Sequence, residues 1–205
     1  IDLAPYMEEF LYKKINTTVF TSATLSAGGT FDYFKKNLGI KDGCGEAILG
    51  SPFNLKVQSI LYIPRHLPDP NSPDFIVMAA DEMEKILALT GGRAFILFTS
   101  HRNMEQAYQI LKPRLGWATL IQGEKPRSEL LKEFKERTPS VLFATQSFWQ
   151  GVDVMGEALS CVIIDKLPFA VPTEPIVEAR AEAISRRGEN PFLSYQLPGA
   201  ILLLK

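Results

Sequence analysis

Soft metal ligands are scarce in this chain of 205 residues, which carries two cysteines, Cys44 and Cys161, and two histidines, His66 and His101. The cysteines lie far apart with no CxxC spacing, which argues against a disulfide framework and against a zinc or iron–sulfur site held by this chain alone. Both read as reduced thiols of a cytosolic protein, with Cys161 inside an apolar run. His66 stands in a proline-rich connector and reads as a surface residue; partners for a metal site or a Ser–His–Asp set are missing. No stretch approaches the ~18 consecutive apolar residues of a membrane span, and no charged-then-apolar signal segment opens the chain. No GxxxxGK[ST] loop occurs, so this chain has no P-loop of its own to cradle nucleotide phosphates. The absence of GxGxxG after a strand weakens a dinucleotide-binding reading. Charge of one sign is also lacking: 22 basic residues stand against 23 acidic ones, a formal net charge of -1. Any nucleic-acid surface must therefore be a local patch.

The balance that remains is that of a soluble globular protein, with 46% apolar and 22% charged residues, and its length is enough to bury a real core. Short apolar runs recur at Thr18-Val19-Phe20-Thr21, Ile60-Leu61-Tyr62-Ile63, Ala94-Phe95-Ile96-Leu97-Phe98, Thr119-Leu120-Ile121, Val141-Leu142-Phe143-Ala144 and Cys161-Val162-Ile163-Ile164. Their near-continuous apolar character predicts strands buried on both faces of a parallel sheet. Helical stripes fill the gaps. Met104, Ala107, Tyr108, Leu111 and Leu115 form one; Phe75, Ala79, Met83 and Ile86, opened by Ser72 and Pro73, form a second. Leu130, Leu131 and Phe134 give a third, and Ile176 to Arg187 a fourth. Such alternation predicts an α/β domain with a doubly wound sheet.

Residues 1–56 read as a lead-in segment and connector, and residues 57–205 as the domain proper. Ile1 is no natural start and the chain stops inside an apolar run, so both termini read as cut. One decoy is Phe75-Ile76-Val77-Met78-Ala79-Ala80-Asp81-Glu82, which has the look of a Walker B strand ending in two acids. The helical stripe accounts for the same residues and puts Asp81 and Glu82 on the wet face.

The informative residues follow strands. Thr21, Ser22, Ala23 and Thr24 end the first run; small hydroxyl residues there can bond across a cleft, although by themselves they read more simply as a turn and helix cap. Ser100, His101 and Arg102 open the Met104 helix, where backbone N–H groups suit a phosphate backbone; a capped surface turn is the competing reading. In Phe148-Trp149-Gln150-Gly151-Val152-Asp153, Gly151 permits close approach of a phosphate and Asp153 can accept from a ribose hydroxyl or orient an arginine. Trp149 can pack or stack, and the plainer alternative is an aromatic plug with a turn glycine. Asp165 and Lys166 end the last run and read as a surface ion pair. All these positions fall outside the carboxyl ends of strands, where open α/β sheets bind ligands.

The string from Phe148 to Asp153, continued by Gly156 to Phe169, closely resembles motif V and its sequel in DinG-type helicases of the XPD-like branch of superfamily 2. Thr21 to Leu25 resembles that family's motif III, Leu97 to Arg102 its motif IV, and Tyr195 to Pro198 the run-up to motif VI. The resemblance implies a RecA-like, P-loop-NTPase-type three-layer domain with a mostly parallel sheet, the second of two motor lobes. It implies ATP with Mg2+ in the cleft between the lobes, touched here by Gln150, Gly151 and Asp153, with Gly151 and Asp153 serving hydrolysis. It further implies coupling through Thr21, Ser22, Ala23 and Thr24. Single-stranded DNA would run over Ser100, His101, Arg102 and Trp149, moved 5′ to 3′ in a cytoplasmic protein.

By the same resemblance the phosphate-binding lysine, the Walker B acid and any iron–sulfur cluster belong to a first lobe upstream of Ile1. The arginine finger of motif VI would begin just past Lys205, so the chain alone is expected not to hydrolyse ATP. Met155 stands where the family would have proline, which loosens the turn. Two other readings stay open: a RecA-like DNA- or protein-binding module that has lost its motor, and an unrelated α/β enzyme that binds a nucleotide or metabolite.

Overall fold

The computed structural model describes residues 2–149 and 151–204. In chain order its helices are α1 (Ala4–Met7), α2 (Asp32–Leu38), α3 (Leu55–Gln58), α4 (Phe75–Thr90), α5 (His101–Leu111), α6 (Arg127–Glu136), α7 (Pro175–Ser185) and α8 (Leu197–Leu204). The strands are β1 (Ala94–Leu97), β2 (Ala118–Ile121), β3 (Ser140–Ala144) and β4 (Cys161–Ile164). The chain forms two compact units, Tyr62–Leu167 and Ile1–Leu61 with Pro168–Lys205.

The Tyr62–Leu167 unit is a three-layer sandwich. Its four strands pair in parallel in the order β2-β3-β1-β4. The two central strands, Ala-Phe-Ile-Leu and Ser-Val-Leu-Phe-Ala, are buried throughout, because helices cover both faces and leave no wet side for alternation. Side chains of odd and even positions therefore enter different cores. Ile96, Phe98 and Phe143 pack with Phe75, Ala79, Met83 and Leu87 of α4 and with Met104, Ala107, Tyr108 and Leu111 of α5. Phe95, Leu97 and Leu142 pack with Leu130 and Phe134 of α6 and with Phe148. The Phe95 and Phe134 rings meet at 4.7 Å between centroids.

Local chemistry sets several of the helix ends. Phe75 to Glu82 is helical, as the periodicity predicts, and α4 ends when Gly91 takes φ 67° and returns its N–H to the Leu87 carbonyl. A residue with a Cβ is strained in that left-handed conformation. Ser100 caps α5 by accepting from the Asn103 N–H at 3.2 Å, satisfying one of the helix's orphan donors. The Ile176–Arg187 periodicity corresponds to α7, which opens on Pro175 at its first turn.

Two expected strands do not form. Residues 18–21 and 60–63 carry no strand, and Val19 (82%) and Ile60 (95%) are exposed. A strand needs a neighbour for its backbone N–H and C=O groups, and apolar side chains by themselves do not supply one. Glu82 corrects the reading of a wet helix face as well. Asp81 is exposed, but Glu82 is buried and accepts from the Tyr62 hydroxyl at 2.7 Å and the Lys85 ammonium at 3.0 Å. The exposed His66 imidazole lies 3.4 Å from the same carboxylate. The connector thus folds back onto α4, and these bonds hold the Glu82 carboxyl below its ordinary range, the Tyr62 hydroxyl contributing most.

Candidate nucleotide and nucleic-acid site

The carboxyl ends of the strands line up along one edge of the Tyr62–Leu167 sheet, and their neighbours are set by register. Leu97 is level with Ala144 of β3 and with Ile164 of β4. The ladders run one step further through Phe98 N–H to the Ala144 carbonyl (2.8 Å) and Asp165 N–H to the Leu97 carbonyl (3.1 Å). The chain segments that leave β3, β1 and β4 therefore start side by side.

Side chains tie these segments together laterally. Between β2 and β3, the Gln122 carboxamide oxygen accepts from the Thr145 N–H at 2.7 Å and lies 3.1 Å from the Thr145 hydroxyl. Between β4 and β1, Asp165 Oδ1 accepts from the Thr99 N–H at 2.9 Å and Oδ2 from Asn103 Nδ2 at 3.3 Å. Asp165 is 8% exposed, so the expected surface ion pair with Lys166 is replaced by a buried hydrogen-bonded carboxylate. Burial raises its pKa against the pull of the Thr99 and Asn103 bonds, the direction that loss of water imposes on an acid.

The segment after β3 alternates between anchoring and presenting residues. Phe148 is buried, and Trp149, Val152 and Val154 pack partly against the same core. Gly151 and Asp153 between them are exposed. Gly151 has φ 65°, and its carbonyl accepts from Arg127 Nη2 at 3.0 Å. The Arg127 guanidinium also lies 5.5 Å from the Phe148 ring centroid, a favourable cation–π distance. One arginine from the start of α6 thus touches both the aromatic anchor and the glycine of this turn. Gln150 lies outside the described residues.

At the next strand end, Ser100 is half-buried and its hydroxyl caps α5, while His101 and Arg102 are exposed on the first helical turn. Their cationic and polar groups and the helix N-terminus are presented together, a combination that suits anions. Thr21, Ser22, Ala23 and Thr24 belong to the other compact unit. There Ser22 Oγ accepts from the Thr24 N–H at 3.2 Å, a local turn without a preceding strand. The structure thus brings Ser100, His101 and Arg102 to the same sheet edge as Trp149, Gly151 and Asp153.

Arg127, Asn103 and Gln122 are the residues that reading the sequence alone overlooks, and Asp165 is one that it places but misreads as half of a surface pair. Arg127 had one signal, its place just after Pro126 at a helix start. Asp165 had another, a carboxylate directly after an apolar run with no polar spacer.

Comparison with known proteins gives this edge a context. Residues 83–205 match the family described as the helicase C-terminal domain. An ATP-dependent DNA helicase YoaA of Haemophilus influenzae is 43% identical over 187 residues, which are 91% of this chain and 29% of the relative. The ATP-dependent DNA helicase YoaA of Escherichia coli is 38% identical over 205 residues, 100% of this chain and 32% of the relative. The ATP-dependent helicase DinG of Mycobacterium tuberculosis is 38% identical over 191 residues, 92% and 29% respectively. The chain thus spans under a third of the length of these curated relatives.

Proposed function

The chain belongs to the helicase C-terminal domain family, and we propose from that membership that it forms the second RecA-like lobe of an ATP-dependent 5′-to-3′ DNA helicase of the DinG and YoaA kind. One observation carries the proposal. Gly151 and Asp153 are exposed on a turn fastened from below by Phe148, Val152 and Val154, beside the Ser100–Arg102 helix start on the same sheet edge. ATP with Mg2+ would sit between this edge and a first lobe of the same polypeptide. Gly151 would let a phosphate approach the backbone, and the Asp153 carboxylate would accept from a ribose hydroxyl or hold an arginine. When bound, Mg2+ would neutralise developing phosphate charge, and any iron–sulfur cluster of the parent would belong to the first lobe.

The DNA side of the proposal rests on charge and geometry. Exposed Arg102 and His101 at a helix N-terminus grip phosphates, and Trp149 at the junction would contact DNA. Phosphate contacts position a strand without reading bases, which suits a motor that moves along any sequence. Thr21 to Thr24 would couple hydrolysis to strand movement. No described helix is long and apolar enough to cross a membrane. The cytoplasmic location that we propose rests on the likeness to DinG-type helicases alone.

Strand displacement by the full-length protein tests this reading. With ATP, it should release the short strand of a duplex bearing a 5′ single-stranded tail and leave a 3′-tailed duplex intact. The isolated chain, which has no P-loop of its own, should displace neither. Displacement that is equal on both tails would refute the proposed polarity. Complete inactivity with both would favour a binding module without a motor.

A further inference from the structure

The buried carboxylate of Asp165 is the strongest polar feature that the nucleotide and DNA contacts leave unused. Its backbone extends the β1–β4 ladder, and its two oxygens reach opposite ends of one turn: the Thr99 N–H before the cap and the Asn103 carboxamide inside the first turn of α5. Asn103 is gripped a second time, because its N–H donates to Ser100 Oγ. One side chain just past β4 therefore fixes the Thr99–Asn103 turn at both ends, with Ser100, His101 and Arg102 between.

Burying a carboxylate is costly unless its oxygens are bonded, and charged hydrogen bonds are the stronger ones. A negative charge beneath a phosphate-facing turn repels the ligand, so attraction cannot be its contribution. Orientation can. With Asp165 in place, the exposed His101 and Arg102 side chains leave the helix from a single backbone conformation.

We propose that Asp165 is a positioning residue for DNA: from the position just after β4 it holds the Thr99–Asn103 turn so that Ser100, His101 and Arg102 meet the phosphates of a single strand. The proposal rests on the motor reading above. It assigns Asp165 no contact with DNA or nucleotide, and its effect passes through Thr99 and Asn103.

The test uses the full-length protein and three variants: Asp165→Ala, Asp165→Asn and Asn103→Ala. The readouts are the concentration of single-stranded oligonucleotide that half-maximally stimulates ATP hydrolysis, the KM for ATP, and direct binding of a labelled oligonucleotide without nucleotide. Asp165→Ala should raise the half-stimulating DNA concentration about ten-fold, in keeping with the loss of bonds to a charged group, while the ATP KM moves less than about two-fold. Asn103→Ala should raise it about three-fold, since one of the two bonds remains. Asp165→Asn should recover most of the loss, because its carboxamide oxygen still accepts from the Thr99 N–H.

Unchanged DNA dependence in Asp165→Ala, or equal damage to DNA dependence and ATP KM, would overturn the proposal. Should Asp165→Ala fail to fold, unchanged DNA dependence in Asn103→Ala overturns it alone. If the wild-type protein hydrolyses no ATP, the motor reading fails, and the direct binding assay then decides the positioning role separately.

Discussion

Two regions of this chain carry similar apolar runs and do different things with them. In Tyr62–Leu167 the runs at residues 94–97 and 141–144 are sealed between helices on both faces, and Leu87, Phe134 and Phe143 are fully buried. In the unit formed by Ile1–Leu61 and Pro168–Lys205, Val19, Leu49, Ile60 and Leu61 are largely exposed. Among its described residues only Val177, Ile184 and Ala200 are buried apolar side chains. An apolar run becomes a strand where a neighbouring strand completes its backbone hydrogen bonds, and it is sealed on both faces only at the centre of the sheet, since Val162 of the edge strand β4 is 52% exposed against the expected two-faced burial. Hydrophobicity is necessary and pairing decides.

The sharpest way to break that contrast is to hollow out the dense unit. Phe134→Ala, at a side chain packed against Phe95 and sealed from water, should destabilise the folded chain by about 3–5 kcal/mol. Chemical denaturation of the two proteins measures this. A loss below about 1 kcal/mol would mean that the two-faced core is not what holds this unit.

An intermediate effect belongs to the bonds where the connector meets α4. The Glu82 carboxyl is held below its ordinary range by Tyr62 first and then by Lys85. A carboxylate lowered in the folded state stabilises it above the unfolded pKa, and that stabilisation disappears as pH falls through the folded value. The Tm of the wild-type chain should therefore fall more on acidification through the carboxylate range than the Tm of Glu82→Gln. Asp165 has the opposite sign, because its pKa is raised by burial: its contribution is lost as pH rises through the folded value. Adding Asp165→Asn to the series separates the two. Parallel acid profiles for wild type and Glu82→Gln would contradict the assignment to Glu82.

The smallest effect should come from the exposed run. Val19→Ser replaces a side chain that is 82% exposed and should change stability by no more than about 0.5 kcal/mol, again by denaturation. A large loss would show that residues 18–21 are covered in the folded chain after all.

How much could be read from residues alone follows the same physics. The helices α4 to α7 are legible because one-sided burial imprints periodicity on their sequence, and the strands β1 to β4 because they are short, nearly unbroken apolar runs. Gly151 and Asp153 in the string from Phe148 to Asp153 likewise mark the presenting turn, where Gly151 takes φ 65°, a conformation that favours a residue without Cβ. What stays hidden are bonds between distant segments. Asp165 reads as half of a surface pair until Thr99 and Asn103, more than sixty positions earlier, arrive beside it. Glu82 looks wet until Tyr62 and His66 fold over it. Arg127 carries no message until its guanidinium is seen on the Gly151 carbonyl. Each case involves a polar side chain whose partners no local spacing predicts.

We propose that Asp153 faces the ATP cleft of a DNA-driven motor. ATP hydrolysis by the full-length protein, measured with and without single-stranded DNA beside an Asp153→Ala variant, tests it most directly. Hydrolysis should be stimulated by DNA and should fall by about a hundred-fold or more in the variant, because a carboxylate that holds an arginine acts through a group worth about 10³–10⁵ in phosphoryl transfer. Hydrolysis absent in the wild type, or indifferent both to DNA and to Asp153, would contradict it.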